Sequence, residues 1–468
     1  MSAVRDPRTG DVVGHIEFLT SDDVPEIANR AKVALPGWSA VPVATRCTIL
    51  MELARLIAER PARLGARFAL ETGKTVAQAE AELDRAVDTL RWTAAAATQV
   101  TAGRTIEGDD GLYRQVLVDP VGPVLAIVAS NFPAVVLARK LAPALVMGCT
   151  VVVKAPETTP SVVRDIADLA TKAGLPADVL QVVYTDAVGS AALVARPEFP
   201  LVSFTGSHRT GQLVAAGAAG HLASCVLELG GHAPAILLDD ADLATAVPAL
   251  VASKFSSAGQ SCAAPSRFLV HERIHAEFVH RFSTSVPGLD RQPGGTMGPL
   301  HTEARRDEVH ALVLDAVGKG ATVITGGLLP SGPGWYYPAT VLTDVPAEAR
   351  VLHEEPFGPI APILSFTDDD QAVATANATP FGLGAFVFGS QARATGLAER
   401  LDAGRVSVNC ATGADPMSPL SGRGLSGYGY EGGLEGLAAF GRLKVIQRSG
   451  PSSSAPCRRS AMPASARC

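Results

Sequence analysis

The hydrophobic pattern changes three times along the chain. Residues 22–34 and 45–100 carry a helical period rich in Ala, Leu, Glu and Arg. Residues 101–120 switch to alternation, as in Leu112-Tyr113-Arg114-Gln115-Val116-Leu117-Val118, which predicts a hairpin. From residue 121, short continuous apolar runs alternate with helical stretches. Strands are expected at Val124–Val128, Val151–Val153, Val179–Val183 and Leu201–Phe204. Helices are expected over residues 134–147, stopped by Gly148, over 161–173, ending at Gly174, and from about residue 210. This rhythm predicts an α/β fold, a parallel sheet with helices on both faces. After Gly231 it restarts, with a strand at Ala235–Leu238 and a helix from about Leu243. Residues 5–10, Arg-Asp-Pro-Arg-Thr-Gly, read as a turn before an early strand. The segment 449–468, rich in Ser, Pro, Ala and Arg, has no apolar period and is expected to be disordered.

A chain of 468 residues exceeds what one hydrophobic core supports, so at least two domains are expected. The most apolar long stretch, Ala134–Val153, is interrupted by Arg139 and Lys140 and contains Pro143 and Gly148. A buried helix followed by a strand explains it better than a membrane span. The net charge of −6, with scattered basic residues, gives no reason to expect a nucleic-acid or anionic-membrane partner. Seven cysteines at irregular spacing form neither a disulfide framework nor a zinc site, and they fit a reducing compartment. The first residues lack the apolar core of a secretory signal, and a cytoplasmic location is expected.

The candidate chemistry lies where apolar runs end. In Gly259-Gln260-Ser261-Cys262 a thiol sits among small residues, open to close approach by a substrate. Glu228, in Leu227-Glu228-Leu229-Gly230-Gly231, is a carboxylate that could activate water beside it. Together they are the minimum for forming and hydrolysing a thioester. Phe204-Thr205-Gly206-Ser207, with Gly211 one turn on, follows a strand and opens a helix, a phosphate-binding arrangement. Lys154 and Glu157 close a parallel strand, where a ribose diol could be held. Asn131, in Ser130-Asn131-Phe132-Pro133, could donate to an oxyanion, worth about 3 kcal/mol for one donor. Glu354-Glu355-Pro356-Phe357-Gly358-Pro359 packs carboxylates, a ring and two prolines into a rigid loop. Each motif alone is more commonly an ordinary turn, cap or solvated pair; their order along the chain decides otherwise.

That ordered set, with Asn409 and Ser426-Gly427-Tyr428-Gly429, closely resembles the aldehyde dehydrogenase superfamily over about residues 5–447. Glu71-Thr72-Gly73-Lys74, Asp240-Ala241-Asp242-Leu243 and Gly382-Leu383 agree with it. The resemblance implies a doubly wound dinucleotide-binding domain (1–100 and 121–229), a catalytic α/β domain (230–435), and oligomerisation strands (101–120 and 436–448). It makes Cys262 the nucleophile, Glu228 the base for hydrolysis, and Asn131 with the Cys262 N–H the oxyanion site. Lys154 counts with both the catalytic group and the cofactor site. Glu157, Phe204, Gly206, Ser207, Gly211, Leu229, Glu355 and Phe357 would complete that cofactor site. NAD is the expected cofactor, with NADP possible, and a homodimer or homotetramer the expected assembly.

Phe132 and Ser261 fall to the substrate pocket, with Arg139. Arg139 lies eight residues after Asn131, two helical turns on, and can point back toward the same site. In semialdehyde dehydrogenases a matching arginine holds the substrate's carboxylate, so a small anionic aldehyde, a semialdehyde or phosphono-aldehyde, is expected. Those enzymes often carry a second arginine where this chain has Ser256. The plainer alternative pairs Arg139 with a nearby acidic residue. Other departures are Ala129-Ser130 before Asn131 and Pro419-Leu420-Ser421-Gly422 in place of Pro-Phe-Gly-Gly. Two rival functions are a CoA-acylating dehydrogenase, whose members commonly lack a glutamate at position 228, and a catalytically idle binding or structural relative, which would be expected to have lost Cys262, Glu228 or Asn131.

Overall fold

A computed structural model describes residues 2–59, 64–108, 110, 112–286 and 297–449. The chain opens with a small antiparallel pair, β1 (Ser2–Arg5) and β2 (Val12–Ile16), around the expected turn. Helices α1 (Val24–Ser39), α2 (Val43–Ala58), α3 (Leu64–Thr72) and α4 (Val76–Thr101) follow. The single helical period of 45–100 is thus three helices, the last break falling at Gly73-Lys74-Thr75. There Thr75 starts α4 by accepting the N–H of Gln78 at 3.2 Å. Periodicity misses this break because the apolar stripes on both sides face the same core.

The hairpin consists of β3 (Arg104–Glu107) and β4 (Leu112–Pro120). The nucleotide-type sheet is then laid down as β5 (Val124–Ile127), helix α5 (Pro133–Met147), β6 (Val151–Lys154), α6 (Pro160–Lys172), β7 (Leu180–Val183), α7 (Ala187–Val194), β8 (Leu201–Thr205), α8 (His208–Ala219) and β9 (Ser224–Glu228). These five strands run parallel in the spatial order β9-β8-β5-β6-β7. Every residue of β5 and β6 is buried, because helices cover both faces, which is why they read as unbroken apolar runs. Helix α5 is buried along almost its whole length, so its two charges lie inside the protein.

The second sheet has seven strands: β10 (Ala233–Leu237), β11 (Pro265–His271), β12 (Thr322–Thr325), β13 (Thr340–Thr343), β14 (Ile360–Phe366), β15 (Gly384–Phe388) and β16 (Arg405–Val408). Helix α9 (Leu243–Phe255) follows its first strand, as expected. The chain returns to the first sheet before residue 435: β17 (Gly427–Tyr428) pairs antiparallel with the end of β9.

The closing strand β18 (Gly441–Ser449) adds to β4 over its whole length, in the order β18-β4-β3. Its expected start at 436 is corrected: Gly433–Ala438 is a short helix, and the strand begins only at Gly441. At the other limit, 101 belongs to α4 and strand begins at 104. Ser449, expected to begin the disordered tail, is the last residue of the strand; residues 450–468 lie outside the described residues. Among the described residues no helix is long and apolar enough to cross a membrane.

Candidate active site

The site forms between the C-terminal ends of the first sheet's parallel strands, the usual place for ligands in α/β folds, and the segments that lead into β10, β11 and β14 of the second sheet. Cys262 stands after a sharp elbow. Ser257 and Ala258 hold left-handed backbone (φ 49° and 55°) and Gly259 follows at 72°. Such strain in non-glycine residues persists only where surroundings enforce it. Here the enforcement is visible. The Gln260 side chain donates to the carbonyl of Ser257 at 2.9 Å and accepts the N–H of His301 at 2.9 Å. A Cβ on Gly259 would collide with the carbonyl of Gly358, and one on Gly231 with the carbonyl of Cys262. Glycine at 231 therefore lets the turn after Glu228 lie directly against the cysteine.

Asn131 reaches this elbow from the other sheet, its Nδ2 donating to the Gln260 carbonyl at 3.0 Å. Glu228 ends β9 and is 3% exposed, and neither carboxylate oxygen has a hydrogen-bond partner among the described residues. Burial, then the negative charge of Glu431, push its carboxyl well above the usual range; Lys140 and Arg139 act against the rise. Lys140 is fully buried, donating to Glu431 at 2.6 Å and to the Ser203 hydroxyl at 3.0 Å. Burial also pushes the Cys262 thiol up to about 12, helped by the charges of Glu355 and Glu228 and opposed by Arg139. Both shifts oppose ionisation, so the thiol and the carboxyl of this site each lie above their ordinary ranges.

Arg139 is also buried. Its Nη2 donates to the Ala414 carbonyl at 3.0 Å, and its Nε has no partner among the described residues. No carboxylate lies within ion-pair distance of it among the described residues. The alternative of an arginine neutralised by an acidic neighbour is not what the structure contains. Its neighbour Lys140 has that arrangement instead.

The expected cofactor residues divide into two groups. Lys154, at the end of β6, is ion-paired with Glu157, which is more exposed. Ser207 caps α8, accepting the N–H of Thr210 at 3.3 Å. Glu355 accepts the N–H of Gly231 at 3.0 Å, and burial raises its carboxyl to about 7. A Cβ on Gly230 would strike that carboxylate. Phe357 takes a left-handed backbone (φ 42°), with the Arg305 guanidinium 5.6 Å over its ring. A lysine and a carboxylate at a strand end, a helix N-terminus and a second carboxylate are groups that could hold a dinucleotide.

Phe204 and Leu229, by contrast, are buried in the core. The Phe204 ring lies against Gly206, and Leu229 fills the space that a side chain at Gly211 would need. Their placement is beneath the Gly206–Ser207 turn, where they support it. Phe132 is partly buried, its ring between the Lys74 ammonium at 4.0 Å and the Arg85 guanidinium at 5.1 Å. Ser261 is partly exposed beside Cys262.

Sequence reasoning missed Glu431, and the pairing that makes Lys140 its partner. The signal was a lysine inside an otherwise apolar helix, which demands a buried counter-charge; nothing in the sequence said where that charge was. It named Ser426 within a motif but gave it no role; its hydroxyl donates to the Gly230 carbonyl at 2.7 Å and accepts the N–H of Gly382 at 3.0 Å, tying the turn after Glu228 to the segment that leads into β15.

Residues 1–446 match the sequence model of the aldehyde dehydrogenase family. The chain is 38% identical over 443 residues to the 4-(hydroxymethyl)benzenesulfonate dehydrogenase of Comamonas testosteroni, covering 93% of this chain and 92% of that protein. It is 36% identical over 453 residues to the NADP-dependent succinate-semialdehyde dehydrogenase GabD of Escherichia coli K12, covering 95% and 93%. The crystal structure of succinate-semialdehyde dehydrogenase from Burkholderia pseudomallei superposes with a TM-score of 0.93 at 34% identity, covering 96% of this chain and 94% of that one.

Proposed function

Since the chain belongs to the aldehyde dehydrogenase family and is an NAD(P)-dependent enzyme that oxidises an aldehyde, we propose that Cys262 and Glu228 carry its two chemical steps and that its substrate is a small aldehyde with an anionic far end. The observation that carries the first part is the unpartnered, buried Glu228 carboxylate close enough to oppose ionisation of the Cys262 thiol.

In this reading the Cys262 sulfur adds to the aldehyde carbon as its proton passes to a neighbouring base. The oxyanion is held by Asn131 Nδ2 and the Cys262 N–H. Lys154, Glu157, Ser207 and Glu355 are the groups that would hold the dinucleotide, whose nicotinamide would supply the hydride acceptor. A thioester remains on Cys262. Glu228 then takes a proton from water, the hydroxide attacks the thioester, and the carboxylic acid leaves with the thiol restored. A glutamate at 228 favours water over CoA as the acyl acceptor. Its raised pKa has a signed consequence: the deacylation rate climbs with pH through the pKa of Glu228, because only the carboxylate accepts the proton. A single-turnover deacylation profile that stayed flat across that rise would remove Glu228 from the role.

The anionic end rests on Arg139, a buried guanidinium without a carboxylate partner among the described residues. It also rests on two relatives whose names give substrates with a sulfonate or a carboxylate. The planar guanidinium fork suits either group.

The ribose edge sets cofactor choice. Glu157 repels a 2′-phosphate and accepts from a 2′-hydroxyl, so NAD is preferred over NADP, although GabD is named for NADP. Glu157→Ser frees Lys154 from its ion pair to meet a phosphate. The NAD/NADP ratio of kcat/KM is expected to fall by about tenfold, roughly 1.4 kcal/mol. Equal kcat/KM for both cofactors in the native enzyme would refute the preference.

The expected oligomer is assigned to β18. Among the described residues strand β18 is an edge, paired on one side only, and it exposes Leu443, Val445 and Ile446. An apolar edge strand of this length is a pairing site in solution. A homodimer or homotetramer in the cytoplasm completes the reading. Light scattering of Val445→Lys beside the native enzyme tests it: the variant should lose the assembly, and an unchanged mass would move the interface elsewhere.

A further inference from the structure

Lys74 and Glu82 form a buried ion pair, with side chains 2% and 0% exposed, and the reaction as described above uses neither. Burying two charges is costly and is often no better for stability than an apolar pair of the same volume. What this pair holds is specific. Lys74 Nζ, beyond its bond to Glu82, donates to the backbone carbonyl of Asn131 at 2.6 Å. It also lies 4.0 Å over the Phe132 ring. Glu82 Oε1 accepts the backbone N–H groups of Ala134 at 2.9 Å and Val135 at 3.4 Å, the first free donors of α5. The pair thus grips the chain immediately before and after Phe132, while the Asn131 side chain reaches the Cys262 elbow. Lys74 sits in the Gly73–Thr75 break between α3 and α4, and Glu82 lies two turns into α4.

We propose that Lys74 and Glu82 are positioning residues for the reaction, a buried brace that fixes the height and angle of the Asn131 amide over Cys262. An oxyanion donor works only when preorganised at the right distance, and a misplacement of about 1 Å costs about 100-fold in rate. The inference rests on Asn131 being the oxyanion donor.

The test is a double-mutant cycle read by stopped flow as the rate of the reduced-cofactor burst, with propanal and with succinic semialdehyde as probes. Lys74→Met with Glu82→Gln removes both charges and the donation to Asn131, yet keeps an acceptor for Ala134. It should slow the burst about 100-fold for both aldehydes with saturation constants changed less than about threefold. Alkylation of Cys262 by iodoacetamide, which needs no oxyanion donor, should proceed at the native rate. In an Asn131→Ala background the same pair of changes should cost less than about threefold, because the residue it positions is gone. An equal loss in both backgrounds, or no loss in the native one, overturns the brace. An Asn131→Ala burst as fast as native overturns the oxyanion reading itself, and the brace with it. If the paired variant does not fold, Glu82→Gln alone, expected to lose about tenfold, is read in the same cycle with the same criteria.

Discussion

Glu228→Gln is expected to release close to one equivalent of reduced cofactor per active site in a rapid burst and then turn over slowly, about 10²- to 10⁴-fold below the native steady state. Cys262→Ala is expected to show neither burst nor turnover. The contrast follows from where each group acts. The thiol is needed before the hydride leaves, whereas the carboxylate is needed for hydrolysis after it. Glutamine has nearly the shape of glutamate, so the buried pocket of Glu228 changes little in volume. It also removes a charge that adds, behind burial and Glu355, to the rise of the Cys262 thiol, so acylation is not expected to suffer. Full steady-state activity in Cys262→Ala would end the thioester mechanism. Loss of the burst in Glu228→Gln would place the glutamate in the first step as well.

Arg139→Leu should lower kcat/KM for succinic semialdehyde about 30- to 150-fold, chiefly through KM, corresponding to about 2–3 kcal/mol for a charge-assisted pair. Propanal should be affected far less. Arg139 also favours the charged forms of Cys262 and Glu228, so a modest loss common to both substrates is expected. The ratio of the two kcat/KM values isolates the contact with the anion. If both fall together, or if the native enzyme prefers long apolar or uncharged aromatic aldehydes, Arg139 is structural and the anionic-substrate reading is wrong.

The fold was largely legible because strands buried on both faces read as unbroken apolar runs, and because Gly148 and Gly174 stop their helices where the pattern ends. The motifs bearing Asn131 and Glu228 were legible for a related reason: each falls at the C-terminal end of a strand of the first sheet, whereas Cys262 was legible from its small neighbours, between α9 and β11. What sequence could not supply was partnership across long separations. Lys140 finds Glu431 291 residues away and Lys74 finds Asn131 57 away. Neither separation follows from periodicity, which describes one element at a time. Motif membership also did not distinguish side chains at the site from those behind it. Phe204 and Leu229 share segments with Ser207 and Glu228, but strand alternation and the missing side chains of Gly206 and Gly211 draw them into the core. Of the two adjacent charges in α5, the pattern could not tell which one is neutralised; tertiary contacts give the carboxylate to Lys140 and leave Arg139 with backbone alone.

The most direct measurement is mass spectrometry of Glu228→Gln quenched in acid after one turnover with cofactor and succinic semialdehyde. The thioester mechanism predicts a succinyl adduct on the peptide containing Cys262, in an amount matching the reduced cofactor formed. Reduced cofactor without any adduct on Cys262, or an adduct on a different cysteine, would contradict it.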